Sequence, residues 1–333
     1  MYLDLNHWIG LAKASTGHRD GGRHVPALEA CRAARAAGAA VFPLSGAHYM
    51  EMAKIKDPAQ RRALAAVMEE LSGFATLMSR PVVMRLEIQA VVDARRGIGP
   101  DPYGTVPLLG HGFGPAFGRD GTLRVRNADG TDITGLLGDH EKKVLAEADL
   151  LAQRSILAGP EDDQVGDLRA SGWAPESALA VTERRAAQER ELAGLLDEDP
   201  RLRRGRLRDV VAAREAVIEL FDMLDDDLGR RGAGVADVMS DRQAARDVVR
   251  AMPSSDVAVA LKTQMHRNGQ RAARWSANDV YDMDALALAV PYCDVVVTEK
   301  HAASALVLEG MPARYGTVLL TGLPGLVGHL AET

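Results

Sequence analysis

Aromatic side chains make up only 4% of this 333-residue sequence, so rings cannot fill its core and Ala, Val, Leu, Ile and Met must do so. Ala and Leu are strong helix formers, and a core of this kind predicts much helix. Cysteine is nearly absent. Cys31 and Cys293 stand far apart, which argues against a disulfide scaffold and fits reduced thiols in a cytoplasmic protein. No run of about 18 apolar residues occurs, so a membrane span is not expected. The opening Met1-Tyr2-Leu3-Asp4-Leu5-Asn6 lacks the basic and apolar stretches of a secretory leader. The histidines show no HExxH spacing, and no GxxxxGK[ST] occurs, so neither a zinc site nor a P-loop is supported. Excess positive charge is lacking too. With a net charge of -6, nucleic acid is expected only in a local basic groove, not over the whole surface.

What the sequence does contain, at both ends, is short β-branched runs alternating with helical patterns. Tyr2-Leu3 reads as a strand stopped by Asp4. A helix over 8–14, a Gly-rich turn over 17–22 and a helix over 27–37 closed by Gly38 follow. The apolar run 40–44 predicts a buried strand. Ser45 caps a helix to about 55, and Pro58 opens another to about 79. Val82-Val83-Met84 reads as a short strand before a helix ending near Gly97. Toward the other end, helices over 254–266 and 279–290 precede a strand at 295–298, a helix at 301–309, a strand at 317–320 and a short last helix. This alternation predicts an α/β fold, a Rossmann-like parallel sheet with helices on both faces, built from 1–96 and 251–333.

Between these parts the character changes. Residues 97–138 are rich in Gly and Pro, with Arg124-Val125-Arg126 as one strand of a small hairpin. Long helical patterns follow at 139–158, 176–197, 206–229 and 236–250. The expectation for 97–250 is an irregular loop and a mainly helical insertion packed beside the sheet, with part of the loop shaping access to a site.

In an open parallel sheet, ligands bind beyond the carboxyl ends of the strands. Asp4 ends the first strand there, with Asn6 two residues on. Ser45 ends the second, and Glu299 follows the strand at 295–298. Glu51 shares the inward stripe of Ala47 and Ile55, where a salt bridge to Lys or Arg is its competing structural role. Asp279, Asp282 and Asp284 open a late apolar helix. Ser276-Ala277-Asn278-Asp279 fits a capping box, so capping alone accounts for Asp279. Asp282 shares its face and is not needed for the cap, whereas Asp284 points elsewhere.

Carboxylates gathered in one pocket repel one another unless a cation compensates. Oxygen ligands suit Mg²⁺ or Mn²⁺. Two such ions about 4 Å apart can activate water and stabilise the leaving oxygen of a phosphodiester. Asp4, Glu51, Asp282 and Glu299 are therefore the expected catalytic groups. Asp279 and Asp294 are reserve metal ligands, and Asn6 and Ser45 would orient water or substrate. The basic set Lys262, His266, Arg267, Arg271 and Arg274 lies just ahead of the Asp279 turn and is expected to meet phosphates. Arg201, Arg203, Arg204, Arg206 and Arg208 are flanked by acids and read as a solvated face.

These segments resemble the PIN-domain ribonucleases. Leu3-Asp4-Leu5-Asn6 is similar to the family's first-strand Asp with its following polar residue. Leu44-Ser45-Gly46-Ala47-His48-Tyr49-Met50-Glu51 looks like its second-strand Ser and helix Glu. Asp282 through Thr298 resembles the later helix Asp and the strand ending in Thr. The family often has Asp after that Thr, where this chain has Glu299 and Lys300. The likeness spans the two ends of the chain and points to a larger branch of PIN-like proteins with a helical insertion. It implies a metal-dependent endonuclease that uses Mg²⁺ or Mn²⁺ on RNA in preference to DNA. Self-association and an inhibitory partner protein stay open. One alternative is a PIN-like scaffold without metal that binds nucleic acid or serves assembly. Another is a phosphatase of the haloacid-dehalogenase type, although Asn6 stands where that chemistry wants a second Asp.

Overall fold

β-Branched residues stack well on a pleated surface and send alternate side chains to opposite faces. Val295–Val297 uses both properties. The computed structural model describes residues 1–97, 108–119, 122–172, 174–267 and 274–332. Its strands, among the described residues, are Tyr2–Leu3 (β1), Ala75–Leu77 (β2), Leu109–His111 (β3), Val295–Val297 (β4) and Val318–Leu320 (β5). β4 is the middle strand of a parallel sheet of order β1-β4-β5, with Tyr2 opposite Val296 and Val296 opposite Leu319.

The helices in chain order are Leu5–Ser15 (α1), Val25–Ala36 (α2), Gly46–Met52 (α3), Pro58–Ser72 (α4), Arg80–Arg95 (α5), Asp139–Ala158 (α6), Val165–Ala170 (α7), Pro175–Glu198 (α8), Pro200–Gly205 (α9), Leu207–Glu215 (α10), Phe221–Arg230 (α11), Val235–Val238 (α12), Arg242–Ala251 (α13), Pro253–Arg267 (α14), Ala277–Tyr292 (α15), Lys300–Leu308 (α16), Met311–Tyr315 (α17) and Leu323–Glu332 (α18). The strand alternation sorts them into two layers. Leu3, Val295 and Val297 enter a core with Trp8 and Leu11 of α1, Cys31 of α2, Met68 of α4 and Leu326 of α18. Tyr2 and Val296 enter another with Val257 of α14, Leu286 of α15 and Leu306 of α16. The expected α/β character, a parallel sheet with helices on both faces, is therefore present in a chain that is mostly helix.

Three local expectations are corrected. The run 40–44 forms no strand of its own. It lies between β1 and β2, where Val41 accepts from the Met1 amine at 2.8 Å and Leu44 makes an isolated parallel bridge to Thr76. Pro43 has no N–H to donate there, which limits the ladder. Val82-Val83-Met84 is not a strand either but lies inside α5, with Pro81 in its first turn. Val83, Met84, Ile88, Val91 and Val92 bury one helical face. The helix from Pro58 stops at Ser72 because Gly73 takes a left-handed conformation (φ 57). That releases β2, which pairs antiparallel with β3 from the Gly- and Pro-rich region, Thr76 opposite Gly110.

The long patterns of the insertion fold as helices, and none of the described residues of 139–250 joins the parallel sheet. Its core joins Leu192 of α8, Val211 of α10 and Leu224 of α11 to Met84, Ile88 and Val92 of α5 and Val259 of α14. Ions tie the same elements together. Arg80, only 4% exposed at its side chain, bridges Glu215 and reaches Asp284 at 2.8 Å. Arg124-Val125-Arg126 does contribute to a small antiparallel contact, Arg126 opposite Asp132. No helix among the described residues is long and apolar enough to cross a membrane. Both cysteines are free thiols.

Candidate acidic site

A strand that ends at a helix start leaves its last residue with backbone anchored and side chain free to project. Asp4 is such a residue. Its N–H donates to Val297 at 3.0 Å, and its carbonyl accepts from His7 N–H at 2.9 Å as α1 begins. The Thr298 hydroxyl donates to Asp4 Oδ2 at 3.4 Å. Glu51 arrives on α3, whose start is fixed by Ser45 N–H donating to His48 Nδ1 at 3.0 Å. Asp282 arrives on α15, whose start is the expected capping box. There Ser276 N–H and hydroxyl donate to Asp279 Oδ2 at 2.9 and 2.6 Å.

The electrostatics bring these three elements into one neighbourhood. Burial, and then the charge of Asp4, pushes the Glu51 carboxyl up to about 7, with Lys54 opposing. Asp282 keeps an open side to solvent. Even so, the protein mass around its carboxyl, then Asp4, Glu51, Asp279 and Glu299, push it up to about 8. Asp4 is raised chiefly by burial, with Glu299 adding to the effect and His7 opposing it. Tyr2 registers the same charges. Burial, then Asp4, Glu51 and Asp282 among its neighbours, raise its phenol well above the usual range.

Lys54 belongs to this group and was not singled out by the sequence. Its Nζ donates to Asn278 Oδ1 at 2.6 Å and lies 4.3 Å from the Tyr281 ring centroid, a cation–π distance. Burial lowers its pKa, while Glu51 and Asp282 hold it up. The available signal was its place three residues after Glu51, one turn on.

The remaining expected site residues divide. Glu299 follows β4 and accepts from the Asn6 amide at 2.5 Å, so this pair lies beside Asp4 at the same edge. Asp294 stands at the opposite, amino-terminal end of β4, where its carbonyl accepts from Val318 N–H at 2.8 Å, and so it is not brought to the site. Asp284 does point elsewhere, held by Arg185 at 2.5 and 3.0 Å and by Arg80. Ser45 is buried, with its hydroxyl 3.3 Å from the Tyr2 hydroxyl, and holds structure rather than facing a substrate.

The basic set ahead of α15 is largely committed to internal pairs. Lys262 is buried, with Nζ 2.8 Å from both Glu189 and Glu215, because an ammonium inside the protein needs carboxylates. Those charges hold its pKa above the usual lysine range against burial. His266 pairs with Glu189 at 2.8 Å. Arg267 is exposed and 3.6 Å from Glu309. Arg274 is exposed, and Arg271 lies outside the described residues.

The donor set of the pocket is all carboxylate oxygen, suited to a hard cation. Among the described residues, no three His, Cys, Asp or Glu side chains close tightly enough to enclose a metal ion as they stand. Asp4, Glu51 and Asp282 thus share an electrostatic neighbourhood without forming a finished ligand shell. Protons on Glu51 and Asp282 relieve their repulsion, and a divalent cation would do the same by charge. No family model, curated protein or solved structure matches the chain.

Proposed function

We propose that this chain is a metal-dependent nuclease of PIN-like type, hydrolysing phosphodiester bonds in RNA ahead of DNA. One observation carries the reading. Burial, and then the charge of Asp4 at the end of β1, raise the pKa of Glu51 on α3 and of Asp282 on α15 at the carboxyl edge of a parallel sheet. Perturbed acids gathered at a ligand-binding edge are candidates for chemistry.

Asp4, Glu51 and Asp282 are the residues that would hold Mg²⁺ or Mn²⁺, with Glu299 as a further oxygen donor. Such an ion supplies charge neutralisation and a more acidic bound water. The chain's own groups do the rest. A carboxylate of the cluster left free of the ion can accept the proton of the attacking water. Lys54 can meet a phosphate oxygen from within the acidic cluster. Asn6 holds Glu299 in place through its amide. That same amide stands where a phosphatase of the haloacid-dehalogenase type would need a second acid, and it cannot donate a proton in that way.

The deciding experiment incubates purified protein with labelled RNA and DNA in Mn²⁺ and then in EDTA. Cleavage of RNA that EDTA abolishes is the expected result. No cleavage of either polymer at any Mn²⁺ concentration would remove the nuclease reading. The unfinished ligand shell favours one second reading, a PIN-like scaffold that binds nucleic acid without metal. It is supported if RNA binds equally well with and without Mn²⁺ and stays intact.

A further inference from the structure

Many arginines of this acidic chain face carboxylates. Arg201 and Arg203 of the insertion pair with Asp199 and Asp197, and Arg208 with Asp256 and Glu309. The region around α1 differs. Between Asp4 and Glu29 the sequence has one carboxylate, Asp20, against Lys13, Arg19 and Arg23 and the histidines 7, 18 and 24. Asp20 lies 3.8 Å from His18 and 3.9 Å from Arg19. Lys13 and Arg23 have no carboxylate partner among the described residues.

The geometry gathers these groups beside the acidic pocket. Gly10 lacks a side chain where His24 rests, since a Cβ there would meet the His24 ring at 3.3 Å. His24 is thereby seated against the α1 surface between His7, one turn earlier, and Lys13, about one turn later. Arg23 Nε donates to His24 Nε2 at 3.1 Å, which leaves that ring nitrogen without a proton and keeps the guanidinium close. Burial, then Arg23, Lys13 and His7, disfavour a charge on His24, so the four side chains lie within electrostatic reach. His7 is the link to the pocket, because it follows Asp4 by one turn and its N–H donates to the Asp4 carbonyl at 2.9 Å. Its Nε2 is buried without a hydrogen-bond partner.

We infer that His7, Lys13, Arg23 and His24 form a phosphate-binding shelf, on which the backbone of a nucleic-acid strand lies as it leaves the acidic pocket across α1. This rests on the nuclease reading and extends it. The bound polymer is longer than the dinucleotide being cut, and its direction of exit is set by α1. A group of unpaired cations on a negatively charged protein attracts a polyanion to that place. Of the basic set ahead of α15, Lys262 and His266 are engaged with Glu189.

The test measures binding of a fluorescent 12-nucleotide RNA by anisotropy in EDTA, over a range of KCl concentrations, so that cleavage plays no part. Lys13→Gln/Arg23→Gln should make the slope of log Kd against log salt shallower by about 1.4, or about 0.7 for each lost phosphate contact. At 0.1 M salt this corresponds to roughly 10- to 30-fold weaker binding. The control Arg201→Gln/Arg204→Gln removes the same charge from the insertion and should leave the slope unchanged. Melting curves confirm that both variants fold, and Arg23→Gln alone should give about half the slope change. An unchanged slope in the shelf variant, an equal change in the control, or no salt-dependent binding by wild type overturns the shelf. The nuclease reading stands or falls separately, on wild-type cleavage with Mn²⁺.

Discussion

The Nε2–H of His48 donates to the carbonyl of Leu3 at 2.9 Å, fastening the helix that carries Glu51 to the strand residue preceding Asp4. Ser45 N–H occupies the other ring nitrogen, so the neutral tautomer is fixed. The ring stacks on Tyr2 at 5.1 Å and meets Trp8 edge-on at 6.2 Å. Replacing it, His48→Ala, leaves a buried gap and an unanswered Ser45 N–H. A loss of about 3 kcal/mol in urea unfolding is expected. A loss below about 1 kcal/mol would mean that the two elements are held together by other contacts.

The same imidazole sets an acid limit on stability. Burial lowers its pKa from 6.5 to about 4, so the unfolded chain takes up a proton first as pH falls. The stabilising contribution of the neutral ring is complete above 6.5 and is lost as pH drops toward 4. His48→Gln should flatten the stability profile in this window. A wild-type slope that survives the substitution would assign the acid sensitivity to other groups.

Glu51 works in the opposite direction. Its pKa rises from 4.5 to about 7, so its contribution is present below 4.5 and is lost as pH rises through 7. In EDTA, Glu51→Gln should therefore be more stable than wild type at pH 8.5, by on the order of 1 kcal/mol after allowance for solvent screening. That corresponds to roughly 2–4 °C in Tm. The gain should vanish near pH 4.5. Equal or lower stability of the variant at pH 8.5 would show that the acidic cluster does not repel itself.

Asp4→Asn keeps the shape of the side chain and removes its charge. Cleavage in Mn²⁺ is expected to fall by at least about 100-fold, the scale of losing a group that acts in the transition state. The melting point in EDTA should hold or rise, because the charge that raises Glu51 and Asp282 is gone. A melting point several degrees lower, with no Mn²⁺-induced stabilisation of wild type, would make Asp4 structural.

Arg185 joins the insertion to the site helix through two hydrogen bonds to Asp284, two residues from Asp282. On the same pair of helices, the Thr182 hydroxyl donates to the Tyr281 hydroxyl at 3.0 Å. Arg185→Ala leaves a half-buried carboxylate facing Arg80 alone, and about 2 kcal/mol of stability should be lost. Arg201→Ala, at a pair exposed to solvent, should cost less than about 0.5 kcal/mol. Similar losses in the two variants would deny the insertion any special hold on α15.

Some features were readable because they depend on neighbours in the chain. The strand at Val295–Val297 and the capping box at Ser276–Asp279 are local, set by β-branching and by a side chain reaching three residues back. That Asp4 ends a strand and that Glu51 and Asp282 lie on helices was legible in the same way. β2 and β3 were not. Ala75-Thr76-Leu77 and Leu109-Gly110-His111 show little periodicity and become strands by pairing with each other and, for the first, with Leu44. Charges were decided most completely by the tertiary structure. Asp282 and Asp284 sit on one helix, yet one meets other carboxylates and the other meets Arg80 and Arg185. Lys262 was read as a phosphate contact and is instead held between Glu189 and Glu215. The sequence alone determined which residues could carry charge and where the backbone would turn. Only the fold decided which charges share a pocket, because Coulomb energy depends on distance and dielectric, and both are set by segments remote in the chain.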